Sequence, residues 1–201
     1  MATPGVTSTR ARAMAARLAE TAERMAVDRP GRDLIAAAFD LAMEPRLRAA
    51  LDDHAPDFLH PARTALIAMD DAGVAHAPTL AAALLVETRD AALRPDAGGL
   101  GALGVPGDEV AALVAAVPDP DEGEELVERL VTAAAPVLLI ALVERLDHAR
   151  HLHLRPRPEW GPYHATTCAA YAPLAGRADP VLERRFAWWC RTFRARFLGR
   201  A

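Results

Sequence analysis

From Pro78 the chain reads PTLAAALLVETRDAAL, a stretch that is apolar nearly all the way round a helix. A helix with no polar face belongs inside a core, so other helices must enclose it. Alanine dominates this run and much of the remaining sequence; it is the best helix former, and its small side chain lets helices pack closely. No segment sustains the period-two alternation of a half-buried strand, and no repeat of fixed period is visible. The expected fold is therefore all-α, a compact helical bundle.

Smaller signals divide the chain. Residues 1–9 are small and polar and are expected to form a disordered tail. Residues 10–27 place Met14, Leu18 and Met25 at helical spacing. Together with Pro30-Gly31, read as a break, they make an N-terminal helical extension over 10–32, with the main domain over 33–201. Asp33 is a candidate cap for the helix carrying Leu34, Ile35, Phe39 and Leu41. Residues 44–59 read as a charged connection. A helix is expected over 61–69, ended by Gly73. The glycines between 98 and 107 indicate a flexible loop, followed by a helix from Asp108 to about Ala116 and a second loop over 117–123. The pattern from Glu124 to Leu152 is helical, with a break or kink at Pro136. RPRPEWGPY, residues 155–163, reads as a loop fixed by its prolines. Helix returns over His164–Gly176, and a last helix runs from Pro180 to Phe197.

Composition narrows the class of function. The 201 residues suit one domain with extensions. Every basic residue is Arg and none is Lys, a bias that fits a GC-rich bacterial genome. With a formal net charge of −4 the chain is not expected to bind nucleic acid. The longest apolar run, VTAAAPVLLIALV, is too short to span a bilayer and reads as a buried helix, so no membrane partner is expected. The N-terminus lacks the apolar core of a secretion signal. Cys168 and Cys190 form neither a CxxC pair nor a zinc spacing, and are expected to be reduced, partly buried and cytoplasmic. The glycine loop has no Walker spacing, which excludes a P-loop.

Several charged residues admit two readings. His148, His151 and His153 suggest a metal tract or a polar helix end favoured by the dipole. Glu144 and Arg145 are a charged pair on a helix edge or part of a site. In the last helix Phe186, Trp189, Phe193 and Phe197 line one face beside several arginines. This is a core-closing amphipathic helix or, less simply, a stacking surface for bases. The helix at 10–27 could support a homodimer.

Taken together, five segments in order resemble the HD-type hydrolase domain of RelA/SpoT alarmone enzymes, over roughly residues 33–177. RDLIAAAFDLAMEPRLRAALDDHAPDFLHPARTALI is similar to the family's opening, in which a proline-bearing loop leads to His-Pro, here Pro56 and His60-Pro61. PTLAAALLVETRD is similar to the helix ending Ala-Ala-Ala-Leu-Leu-His-Asp, and GDEVAALVAAV to the helix after the family's flexible loop. LLIALVERLDHARHL resembles Leu-Ile-Lys-Leu-Ala-Asp-Arg-Leu-His-Asn-Met-Arg. AAYAPLAGR resembles Tyr-Ala-Pro-Leu-Ala-His-Arg.

The resemblance implies a divalent metal, manganese-like, that generates hydroxide and polarises a phosphoryl oxygen, releasing pyrophosphate from a guanosine polyphosphate such as ppGpp. The implied ligands are His60, Glu87 in place of the paired Asp, and Glu144 in place of the distant Asp. The His of the pair falls on Val86, which has no lone pair. Glu87 and Asp90 hold the implied catalytic acid positions, although the second acid of the latter pair is Ala91. His148, Arg150 and Arg177 hold the implied substrate-binding positions, and the loop before His-Pro carries Asp52 and Asp53 where basic residues are usual. Phosphohydrolase chemistry is therefore expected to be impaired or altered. The alternative is an inactive HD-like module that senses a nucleotide or binds a protein.

Overall fold

The computed structural model describes residues 8–96, 99–120 and 125–199. Among them are helices and turns and no strand, as the alanine-rich sequence requires. Most of the tail expected over 1–9 lies outside the described residues. Ser8 and Thr9 instead open the first helix. The chain divides into two compact units, 1–116 and 117–201.

The first unit contains α1 (Thr9–Arg24), α2 (Arg29–Arg48), α3 (His60–Asp70), α4 (Ala77–Leu85) and α5 (Pro106–Ala116). Leu80 through Leu85 of α4 are all buried, and α2, α3 and α5 pack around them. Helix α1 rests on α2 and α3, burying Leu18 and Ala22. The first two helices end alike. The amides of Ala26 and Val27 bond to the carbonyls of Glu23 and Ala22, and those of Ala50 and Leu51 to Leu47 and Arg46. Both are Schellman caps, with alanine at the left-handed position glycine usually fills, φ 57° at Ala26 and 48° at Ala50.

Pro30-Gly31 does not break a helix. The cap is Asp28, not Asp33; its side chain accepts from the Gly31 amide, and Pro30 occupies the first turn, where no amide donor is needed. Gly31 serves packing: a Cβ there would lie 2.8 Å from Val27 Cγ1 and 2.9 Å from the Ala77 Cβ that opens α4. Helix α2 also continues through Pro45 to Arg48, into the segment read as a connection. The apolar run of α4 is shorter than its pattern. At Val86 it tightens into a 3-10 turn, Val86–Arg89, and at Asp90 the backbone becomes extended.

The second unit contains α6 (Glu125–Thr132), α7 (Ala135–His151), α8 (Arg157–Thr166), α9 (Ala175–Ala178) and α10 (Pro180–Phe193). Pro136 lies in the first turn of α7, so the expected break is where α6 ends. The expected proline loop at 155–163 is largely α8. Pro156 and Pro158 sit at its start, where proline is tolerated, and Pro162 lies inside it. A π turn, Thr167–Tyr171, follows α8. Ala149, Leu152, Trp189 and Phe193 form the centre of an aromatic cluster that also takes in Trp160, Tyr163 and Phe197. Cys168 and Cys190, expected to be reduced, are joined as a disulfide with their Cα atoms 6.0 Å apart. They are twenty-two residues apart in sequence and are the only two cysteines of the chain. No helix of the described residues is long and apolar enough to cross a membrane.

Candidate functional site

In the first unit three charged or ionisable side chains converge from three elements. His60 opens α3, held there by Pro61 in the first turn, and is completely buried. Glu87 projects from the 3-10 turn that closes α4, and its side chain is 18% exposed. Arg46 comes from the last turn of α2 and is 2% exposed. Its guanidinium pairs with Glu87 Oε2 and donates to the Ala42 carbonyl at 2.8 Å. The same carboxylate oxygen lies 3.9 Å from His60 Nε2. Thr64, one turn after His60, ties α3 to α4 by donating to the Ala83 carbonyl at 3.0 Å.

Arg46 dominates the electrostatics. Burial pushes its ionisation below the ordinary arginine range, while Glu87 and then Asp57 oppose that effect. An arginine stays charged even so, and a buried charge needs a counter-ion. Glu87 supplies it. A divalent cation bound at Glu87 Oε2 would stand beside a guanidinium already using that oxygen, so the two cations would compete. Beside Glu87, Val86 is 1% exposed and packs in the core. Two of the implied metal-site residues, His60 and Glu87, are thus brought together. Asp90, an implied catalytic acid, is exposed, and its side chain accepts from the Ala92 amide at 2.9 Å, capping a short 3-10 turn.

The other residues implied by resemblance belong to the second unit. Glu144 Oε1 is 3.2 Å from His148 Nε2, an i,i+4 pair on α7, and His148 Nδ1 is 3.2 Å from Arg155. His151 Nδ1 approaches the Asp147 carbonyl at 2.8 Å, so His148 and His151 have partners on their own helix, while His153 stacks on Phe197 with ring centroids 5.9 Å apart. Arg177 donates to the Val131 carbonyl at 2.8 Å in the last turn of α6, a helix-capping contact. Arg150 lines a groove of about 340 Å³ with His153, Trp188, Trp189, Phe193 and Arg196. Trp188 is 57% exposed there.

Sequence reasoning missed both buried arginines. Arg145 is not half of an edge pair with Glu144. It is 5% exposed, with its guanidinium carbon 3.5 Å from the centroid of the Tyr163 ring and 4.9 Å from that of Tyr171. It donates to Thr167 Oγ1 at 2.8 Å and to the Tyr163 carbonyl at 2.9 Å. The available signal was an arginine set directly before an apolar residue in each helix, Arg46 before Leu47 and Arg145 before Leu146. No protein-family model, curated protein or solved structure matches this chain.

Proposed function

We propose that this chain is an HD-type domain of the RelA/SpoT kind whose metal-dependent phosphohydrolase chemistry is impaired. The observation supporting this reading is the Arg46–Glu87 pair beside a buried Val86. One ligand position holds a side chain without a lone pair, and its neighbour neutralises a buried cation. Glu144, the third implied ligand, carries His148 against its carboxylate. A divalent ion would therefore have to displace the Arg46–Glu87 ion pair and the Glu144–His148 contact before it could activate water. The test is metal content together with pyrophosphate release from guanosine 5′-diphosphate 3′-diphosphate in manganese. The expected result is less than one bound ion per chain and no manganese-dependent release. Stoichiometric manganese with turnover abolished by Glu87→Gln would overturn the proposal.

A second reading follows from the groove on α7 and α10. Trp188 offers an exposed ring for a base, and Arg150 and Arg196 offer guanidinium groups to phosphate. A nucleotide-sensing module would use this combination without hydrolysis. Guanosine tetraphosphate should then quench tryptophan fluorescence and stabilise the protein against heat, with both effects lost in Trp188→Ala. If neither effect occurs, nucleotide sensing through the groove fails. A homodimer through α1 would have to use its outer face, because Leu18 and Ala22 are already buried. We place the protein in the cytoplasm, where guanosine polyphosphates would be encountered.

A further inference from the structure

The aromatic cluster of the second unit contains three potential metal ligands that the proposed chemistry does not use. His164 lies in α8, Cys168 in the π turn that follows and Cys190 in α10. All three are partly buried, and one ligand atom from each falls within 4.8 Å of the others. His164 Nε2 is 3.4 Å from Cys168 Sγ, the i,i+4 spacing having put both on one face. The imidazole is fixed by its neighbours, with ring centroids 5.4 Å from Trp189 and 6.0 Å from Phe193. Its Nε2 also lies 2.9 Å from the Cys190 carbonyl. Cys168 itself sits in the π turn, a distortion often found where a helix carries a functional side chain.

We propose that His164, Cys168 and Cys190 form a redox-gated site for a thiophilic divalent cation such as zinc. In the disulfide form the sulfurs are bonded to each other and the site is closed. A dithiol reductant opens it: two electrons and two protons pass to the cysteine pair, and the reductant becomes a disulfide. The cation then displaces the two thiol protons; the imidazole of His164 gives up the Nε2 proton that the Cys190 carbonyl accepts in the disulfide form, takes a proton on Nδ1 in exchange with solvent, and contributes the Nε2 lone pair. Two thiolates and one neutral imidazole give a site of zero net charge around the cation, which suits a cluster walled by aromatic rings.

The dimensions agree. With Zn–S about 2.3 Å and Zn–N about 2.0–2.1 Å, a tetrahedral sulfur–nitrogen edge is roughly 3.6 Å, near the separation already present. The sulfurs must part to roughly 3.8 Å. The 6.0 Å Cα separation allows this through side-chain rotation. The fourth position is left to water, as in zinc sites with three protein ligands.

The test uses the full chain, reduced by a dithiol, desalted without oxygen and titrated with cobalt(II). The expected result is one equivalent bound with intense thiolate-to-cobalt charge transfer, displaced by zinc, and no such band in the oxidised chain. His164→Ala should weaken binding by at least about tenfold, a loss that even outer-shell changes can reach. Cys190→Ser should abolish the charge-transfer band. Should that variant not fold, zinc protection of Cys168 and Cys190 from alkylation in the unsubstituted reduced chain gives an independent reading. Absence of charge transfer at one equivalent, or alkylation unaffected by zinc, would overturn the proposal and leave the pair as a structural disulfide.

Discussion

Each unit of this protein buries an arginine, and the two are neutralised in opposite ways. Arg46 faces a carboxylate, Glu87, and one carbonyl. Arg145 is held by a hydroxyl, a carbonyl and the faces of two tyrosines. In the first case the charge is cancelled by an anion, so the two residues depend on each other. In the second it is spread over neutral acceptors and ring quadrupoles, so no single partner is indispensable. The difference bears on function, because the anion used in the first unit is the acid that the family resemblance assigns to a metal.

The largest effect should come from stranding the more deeply buried charge. Glu87→Leu leaves the Arg46 guanidinium without its direct ion-pair partner, with only the field of Asp57 to offset its burial, and should cost about 3–5 kcal/mol in chemical denaturation. Arg46→Met should cost less, about 2–3 kcal/mol, because the partly exposed Glu87 carboxylate can recover some hydration. The double substitution should lie within about 1 kcal/mol of the unsubstituted protein, since an ion pair exchanged for apolar packing is often close to neutral. If the double variant is as unstable as the sum of the singles, Arg46 and Glu87 do not act as a pair, and the first half of the comparison breaks.

Arg145→Met tests the other half. It removes a cation without stranding an anion, and Thr167 can still donate to the Tyr163 carbonyl at 2.7 Å. The expected loss is about 1–2 kcal/mol, from two charge-assisted hydrogen bonds and the ring contacts, offset in part by the apolar packing of the Met side chain. All three tryptophans lie in the second unit, so their fluorescence follows this change directly. A loss as large as that of Glu87→Leu would mean that Arg145 is also bound into an obligatory pair.

What the sequence made legible follows the same division. The apolar α4, the absence of strands among the described residues and the break near Pro136 follow from periodicity and from proline chemistry. Helix ends were harder to see. Ala26 and Ala50 occupy left-handed positions normally marked by glycine, so neither end carries its usual sign. Pro30, Pro156 and Pro158 look like breakers, but each stands where a helix begins. At the site, resemblance brought attention to His60 and Glu87, which the structure brings to 3.9 Å. It gave no hint of Arg46, because a guanidinium reaching Glu87 from forty-one residues away depends on how α2 packs against α4. The disulfide was hidden for a different reason: Cys168 and Cys190 are the only possible pair, but the expectation of a cytoplasmic setting implies reduced thiols.

The smallest predicted effect concerns pH and sharpens the contrast between the arginines. The Tyr163 hydroxyl donates to the Arg145 carbonyl at 3.2 Å. Burial holds its ionisation well above the ordinary phenol range, and the nearby Arg145 guanidinium only partly offsets this. Because the folded value is raised, the stabilisation is fully present below the unfolded value of about 10 and is lost as pH rises beyond it. There the unfolded chain releases the phenolic proton while the folded chain retains it. Tyr163→Phe removes one hydrogen bond, costing less than about 1 kcal/mol near neutral pH, but it also removes this alkaline penalty. Its stability should therefore approach that of the unsubstituted chain as pH rises above about 10. Parallel stability curves would show that Tyr163 ionises as freely in the folded protein as in the unfolded one. The guanidinium would then act on this phenol as a counter-charge, and the second arginine would resemble the first.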